Sequence, residues 1–583
     1  MAADGVHSSL REERSSVFLP VFDVHGTRYI WLGLPLRLPA FTFSFQPSDF
    51  GMFQAHAYPF AGDMSTVIVE CTESTWRTAG LDRAREAESL QFCQDLFGDL
   101  LHGETLRSNR STWTNFVTLR NDTWHDGNLV LLGDAAHTAH FSIGSGTKMA
   151  MEDAIALSRA IDNYGTVHDA LVAYEELRQP IVERTQQAAR ASAGWFEQVA
   201  RYARFAPPQF AFSLLTRSTR ITYDKLRLRD PKFSDRVDSW FAAQSGNLKA
   251  GSMPTPRPVS VPLRLSGRIL RNRWIAYPPA CDDGVDGVLS QGALIGIRAL
   301  ADAGAAVVMA RDVAIAPMAR INPGCAVLNA ESRAVWTEFV EVIHAQGALA
   351  GVQVGHAGPR GSTLPRTLGV DMPLRTGGWP LLAATDRPYS VHSSRPSAAT
   401  ADEIQTVVAQ FADAARKADT LRIDLLELDF SHGYLLATFI SPLTNRRTDE
   451  YGGSLEHRLR FPLDVLRAVR RVWPTDRILS VRYSVSDWAI GGITPEEAIQ
   501  TARTFSECGA DCIHVASGQT TVRANPPYGS AWEAGISDLV RNEAQIPTMV
   551  GGYIRSEDEA NTILAAGRAD LYVSGGSLHG SQE

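Results

Sequence analysis

The sequence predicts an α/β protein: a first part of mixed strands and helices, then a (β/α)8 barrel. Three observations carry this. After residue 257, short apolar runs alternate with helical patterns, and the runs number eight: 274–278, 305–310, 349–354, 425–430, 478–483, 511–516, 548–551 and 571–574. Eight units favour closure over the rival doubly wound open sheet, and unbroken apolar strands suit a parallel sheet covered on both faces. The segments between them carry helix-start chemistry. Thr400-Ala-Asp-Glu403, Thr494-Pro-Glu-Glu497 and Ser556-Glu-Asp-Glu559 each read as a capping box, in which the hydroxyl accepts from a free backbone N–H and the carboxylate reaches back. Finally, Gly251-Ser-Met-Pro-Thr-Pro-Arg-Pro258 is too proline-rich to continue a helix and reads as a linker.

Three domains follow from these textures: 1–165, a strand-and-helix part; 166–257, a helical connector ending in the linker; and 258–583, the barrel. The chain stops nine residues past the eighth run, so the expected barrel lacks its last helix. Apolar surface of strands eight and one should then be exposed unless a partner or upstream residues cover it. The stretch 455–473 has apolar residues at helical spacing and reads as a stripe facing the barrel.

Composition excludes several function classes. The 583 residues are 44% hydrophobic and 21% charged, enough for a real core, and the net charge is −8 with a pI near 6.0. That balance speaks against a nucleic-acid partner, which needs a basic stripe. The six cysteines, Cys71, Cys93, Cys281, Cys325, Cys508 and Cys512, form neither a disulfide framework nor a zinc-ligand spacing, and no metal is expected. The longest apolar stretch, 305–316, is broken by Arg311 and Asp312, and no signal peptide opens the chain. A cytoplasmic protein with no membrane partner is the expectation.

In the first part, the apolar run Asn128-Leu-Val-Leu-Leu leads into Gly133-Asp134-Ala-Ala-His137, then Gly144-Ser-Gly146, then a helix from Thr147. A carboxylate ending a strand can accept from a ribose-like hydroxyl, and glycines at a helix start let N–H groups approach a ligand. A plain strand–helix turn is the bland alternative. This string, with Glu152-Asp153, resembles the second flavin motif of group A flavoprotein aromatic hydroxylases. Asp4-Gly5 with Ser8 and Arg11 resembles their Asp-Gly motif, which serves FAD and NAD(P)H together. The resemblance implies that Asp134 holds the flavin ribityl chain and that Gly144 and Gly146 face the pyrimidine edge. The family's opening G-x-G-x-x-G precedes the Asp-Gly motif and is absent here, so this half is not expected to bind FAD on its own. His137 and His140 are at i, i+3, with no carboxylate at ligand spacing to make them a metal pair.

In the barrel, Asp429-Phe-Ser-His-Gly-Tyr-Leu435 leads into 439–453, which ends Asn445-Arg-Arg-Thr-Asp-Glu-Tyr-Gly-Gly453. It lies at the C-terminal end of the fourth run, where barrel chemistry sits. A His donor with a phenol two residues on can polarise a carbonyl and supply a proton to the carbon beside it. The string resembles the old yellow enzyme family. That resemblance implies FMN as cofactor, Gln353 on the flavin pyrimidine, Arg482 facing flavin N1 and O2, His432 on the substrate oxygen and Tyr434 as proton donor. It also implies Gly551 and Gly552 at the FMN phosphate, with Gly575 at the strand-eight turn. The departures are Asp429 where the family has a first His, Gly576 in place of the phosphate arginine, and Cys281 one place off a flavin-side cysteine. Together they are expected to weaken FMN binding.

The order of the two segments resembles one fused family, the bifunctional salicylyl-CoA 5-hydroxylase and 2-aminobenzoyl-CoA monooxygenase/reductase group, over essentially the whole chain with both ends cut short. It implies a flavin-dependent oxidoreductase using NAD(P)H to hydroxylate or reduce CoA-activated aromatic rings. Two alternatives stay open: an FMN-only ene-reductase with a passive N-terminal segment, and a catalytically silent remnant or subunit needing a separate FAD-binding partner. A homo-oligomer is a further expectation.

Overall fold

The computed structural model describes residues 1–246, 255–278, 284, 287–329 and 331–575. The chain divides into two compact units: residues 1–205 with 214–221, and residues 206–213 with 222–583. The helical stretch 166–257 is thereby shared between them.

The first unit is built on a four-stranded antiparallel sheet, in the order Thr27–Leu34, Met64–Thr72, Gly51–Ala61, Thr42–Ser48. Its buried face, including Ile30, Leu32, Phe53 and Val69, packs against Phe97 and Leu101 from the helices that follow. The apolar run expected as a full strand before Gly133 forms only a two-residue strand, Leu129–Val130, paired with His125–Asp126. Leu131 finds a parallel partner in Ala2, with Ala2 N–H donating to Val130 O at 2.8 Å and Leu132 N–H to Ala2 O at 2.9 Å. Helix Gly146–Asn163 then leads to the 31-residue helix Val167–Glu197.

The second unit is a closed eight-stranded parallel barrel of Trp274–Ala276, Val307–Ala314, Leu349–Gly355, Leu425–Phe430, Ile478–Ser484, Cys512–Ala516, Thr548–Val550 and Leu571–Ser574. All eight apolar runs became strands. The second runs four residues beyond its expected end, because a bulge between Ala310 and Val313 lets Arg311 and Asp312 interrupt the ladder without ending it. Only one of the three expected capping boxes is complete. Thr400 Oγ1 accepts from Glu403 N–H, and Thr400 N–H donates back to the Glu403 carboxylate at 2.8 Å. Thr494 and Ser556 do cap their helices, but Glu497 is drawn off to Arg458 and Glu559 accepts from Ser530 and Arg555 N–H. At Glu497 the charged guanidinium is the stronger donor, whereas at Glu559 a neutral hydroxyl and the N–H one residue before the cap take the carboxylate by position.

Strand surface at the closure of the barrel is covered from upstream. Phe241 and Ala242, on helix Pro231–Gln244, and Val259 join one buried cluster with Trp274 and Tyr572. Arg273 lies 5.0 Å from the Phe241 ring centroid, and Val259 N–H donates to Asn561 Oδ1 at 3.0 Å. Of the two covers the sequence left open, a partner or upstream residues, helix Pro231–Gln244 supplies the upstream one. Cys281 and Gly576 lie outside the described residues. Among the described residues no helix is long and apolar enough to cross a membrane.

Candidate active site

The barrel's C-terminal mouth is organised by a group that motif reasoning did not single out. Glu427, fully buried in the fourth strand, accepts from Gln353 Nε2 at 2.8 Å, Ser480 Oγ at 3.1 Å and the Tyr277 hydroxyl, and meets His514 Nδ1 at 3.0 Å. Strands three, five and six, with Tyr277 just past strand one, thus converge on one carboxylate. Burial alone would push its pKa up; His514, Arg482 and these donors hold it down at about 2. The sequence carries a trace of this. Glu427 and Asp429, two apart in an otherwise apolar run, must share the inward face of a strand.

The expected site residues distribute around this knot. Arg482 pairs with Asp429 at 3.8 Å, and its Nε is buried without a hydrogen-bond partner. It lines a cavity of about 540 Å³ together with Gly551, Gly552, Gly575, Arg311, His514 and Glu533. Gln353 and Tyr434 line a second, small hollow with Asp312 and Asp429. The Gln353 amide is engaged inside the protein, its Oε1 accepting from Asp312 N–H at 3.3 Å. His432 follows the fourth strand in the left-handed region, φ +53°, with its N–H on Ser484 Oγ at 3.0 Å and its carbonyl on Arg360 Nη1 at 2.6 Å. Gly433, φ +72°, must be glycine: a Cβ there would stand 2.9 Å from Gln519 O and 3.1 Å from Thr520 O.

These surroundings set protonation. Burial and the nearby Arg482, Arg360 and Arg311 push the His432 pKa well down, so its imidazole is neutral. Burial and nearby carboxylates push the Tyr434 phenol up to about 12, while Arg366 donates to its oxygen at 3.1 Å. Asp429 stands where the family resemblance puts a first histidine. Its Oδ1 accepts from Ser431 N–H at 3.0 Å and from the Ser431 hydroxyl, so it braces the loop that carries His432. The 445–453 string is also a brace: Arg447 donates to Ala384 O, Ala399 O and Asp449.

The donor set of the cavity fits a flavin with a phosphate tail. The buried, unpartnered Arg482 Nε offers a donor to an acceptor edge, and Gly551, Gly552 and Gly575 line the cavity at the strand ends, where no side chain keeps a phosphate from the backbone. Glu533 is the unexpected wall. A Cβ on Gly552 would stand 3.0 Å from its Cγ, and burial raises its pKa to about 7. Gly552, at φ +77°, keeps that approach open.

In the first unit, Arg11 ties the Asp-Gly motif to the second motif: its Nη1 donates to Ala135 O at 3.0 Å. Asp4 accepts from Ser9 N–H, and Gly5 is at φ +88°. Asp134 is exposed, and Cβ atoms added at Gly144 or Gly146 would meet nothing within 4 Å, so the turn is open to a ligand. The two histidines serve different partners. His137 Nε2 lies 2.7 Å from Asp153, which also binds Arg178; His140 is buried 3.6 Å from Glu70.

Sequence comparison agrees with this division. Residues 261–577 match the NADH:flavin oxidoreductase / NADH oxidase family, and residues 1–189 match an FAD binding domain. A salicyloyl-CoA 5-hydroxylase from Streptomyces sp. is 43% identical over 279 residues, which is 46% of this chain and 53% of that protein. An NADH oxidase from Thermoanaerobacter brockii is 31% identical over 322 residues, 54% of this chain and 48% of that one. An NADPH dehydrogenase from Listeria welshimeri is 32% identical over 319 residues, 54% of this chain and 89% of that one. The chain thus spans about half the length of the first two. FMN goes with the barrel, FAD with the N-terminal match, and a nicotinamide nucleotide is the reductant. With its barrel matched over 317 residues, this chain belongs to the NADH:flavin oxidoreductase / NADH oxidase family, as a flavin-dependent oxidoreductase fused to a segment that matches an FAD binding domain.

Proposed function

We propose that the chain acts on aromatic acyl-CoA thioesters, with NAD(P)H as reductant, hydroxylating the ring at the FAD domain or reducing it at the barrel. The observation that carries the barrel half is the placement of a half-buried His432, Tyr434 and Arg482 at the ends of strands four and five, with Arg366 on the Tyr434 oxygen and Arg482 beside Asp429; the same surroundings favour a neutral imidazole, a protonated phenol and a cationic guanidinium. FMN, when bound, supplies a hydride to an electron-poor carbon. The residues do the rest. A neutral imidazole donates to a thioester oxygen and stabilises charge developing there. The Tyr434 phenol holds the proton for the adjacent carbon, and Arg366 on its oxygen lowers the cost of the phenolate left behind. Gln353, Gly551, Gly552 and Gly575 are read as flavin contacts, Arg482 as the cation on its pyrimidine edge. In the first unit, Asp4, Gly5, Asp134, Gly144 and Gly146 are read as contacts of FAD and the nicotinamide nucleotide.

The salicyloyl-CoA hydroxylase supports the thioester; the L. welshimeri dehydrogenase, a protein about the length of the barrel, supports a second reading in which the barrel works alone as an FMN-dependent reductase. The test is to identify flavins released from the purified chain and to follow NADH and NADPH oxidation with salicyloyl-CoA. Expected are both flavins and substrate-dependent oxidation. FMN alone, with turnover of simple enones only, favours the second reading; neither flavin and no oxidation overturns both.

A further inference from the structure

A third cavity, of about 790 Å³, opens beside the catalytic loop and has no place in the chemistry above. Its wall includes Gly433, next to His432. It also includes Tyr389, whose ring lies 4.3 Å beneath Arg360, the same arginine that donates to the His432 carbonyl. Three guanidinium groups line it, Arg387, Arg446 and Arg523, and no carboxylate does. Among the described residues none of the three is in an ion pair, whereas the adjacent Arg447 and Arg395 are paired with Asp449 and Asp386. All three are exposed, and the nearby Asp386 is already engaged by Arg395, so in a chain of net charge −8 this wall presents net positive charge to an anion. Thr520, in the same wall, is 2% exposed with its hydroxyl oxygen unpartnered. Trp488 and Tyr389 add aromatic faces, on which a base can stack.

We propose that this groove is a binding subsite for an adenosine polyphosphate: Arg387, Arg446 and Arg523 hold the phosphates and Trp488 or Tyr389 the adenine. Two molecules of the reaction carry that group, the CoA thioester and the nicotinamide nucleotide. The assignment to CoA rests on the acyl-CoA reading above. It places the nucleotide at the rim while the acyl end reaches His432 and Tyr434, and the volume is within the range of small-molecule sites.

The test titrates flavin-loaded enzyme with coenzyme A, pantetheine and ADP-ribose by calorimetry, for wild type, R387Q, R446Q, R523Q and the triple variant. Retained flavin absorbance reports an intact barrel. Each single change should weaken coenzyme A about tenfold, and the triple change at least about 100-fold, as expected for lost charge-assisted contacts. Affinity should fall with salt. Pantetheine, lacking phosphate, should be unaffected. If ADP-ribose is weakened and coenzyme A is not, the groove belongs to the reductant: the site stands and its CoA assignment falls. The proposal is overturned if the triple variant binds both as wild type does, or if wild type holds FMN and binds neither. Failure of the acyl-CoA reading looks different: salicyloyl-CoA is not turned over, while the arginine changes still weaken ADP-ribose.

Discussion

Each unit buries a carboxylate completely, and the two do so to different ends. Glu70 in the first unit accepts from Thr27 Oγ1 at 2.7 Å and Gln54 Nε2 at 3.0 Å and meets His56 Nε2 at 3.1 Å; Glu427 in the barrel gathers Tyr277, Gln353, Ser480 and His514. Both are held at about 2 by hydrogen-bond donors and neighbouring histidines, joined at Glu427 by Arg482, which together outweigh burial. Around Glu70 the neighbours close: His140 is fully buried, and aromatic rings, including Phe141 and Phe196, pack against His56. Around Glu427 they open, because His514 also lines the 540 Å³ cavity that holds Arg482. The same polar knot thus serves as a core brace in one unit and as the floor of a reactive mouth in the other.

The largest effect should come from breaking the floor. Glu427→Ala leaves four polar partners unsatisfied and should cost about 3–5 kcal/mol, read by urea unfolding of the barrel. Glu70→Ala, with three close partners, should cost less; an equal or larger loss would erase the contrast. Both carboxylates also predict acid sensitivity. Their folded pKa values lie below the ordinary 4.5, so the stability they contribute is present above pH 4.5 and is lost as pH falls toward 2. Substituting either Glu with Gln should flatten the unfolding midpoint across that window; an unchanged slope would contradict the pairing described.

Smaller, and confined to the mouth, is the effect of Tyr434→Phe. Substrate reduction should slow about 100-fold while flavin reduction by NADH keeps its rate, a split that stopped-flow absorbance resolves. Equal slowing of both steps would remove the phenol from its role as acid. The smallest change should follow Glu533→Gln. Its carboxyl titrates near 7, above the ordinary value, so the folded protein holds a proton there that the unfolded chain has already released, and stability declines as pH rises from about 4.5 to 7. The amide removes that decline and should tighten FMN about tenfold above pH 7, with no gain at pH 5. Fluorescence titration of the flavin checks this, and a gain independent of pH would assign Glu533 a purely steric role.

Legibility differed between the units for a physical reason. The barrel runs were readable because a parallel strand buried on both faces has to be apolar throughout, whereas Glu427 within 425–430 belonged to no motif and shows its role only through the partners that barrel closure brings to it. The strand before Gly133 was read too long, because its pattern is that of a sheet strand while its parallel partner here is Ala2 alone. Capping followed the same rule: Thr400 kept its Glu403, whereas Glu497 answered to Arg458, 39 residues upstream.

By itself, the sequence determined the eight-strand barrel, the Asp429–Leu435 loop with His432 and Tyr434, and the Asp4 and Asp134 motifs, because these are local patterns of burial and turn chemistry. Only tertiary structure decided that Tyr277, Gln353, Ser480 and His514 share Glu427, that Glu533 stands against Gly552, and that Arg387, Arg446 and Arg523 line one groove. Closing the barrel brings side chains from different strands and loops to one end, and no spacing along the chain encodes which of them meet.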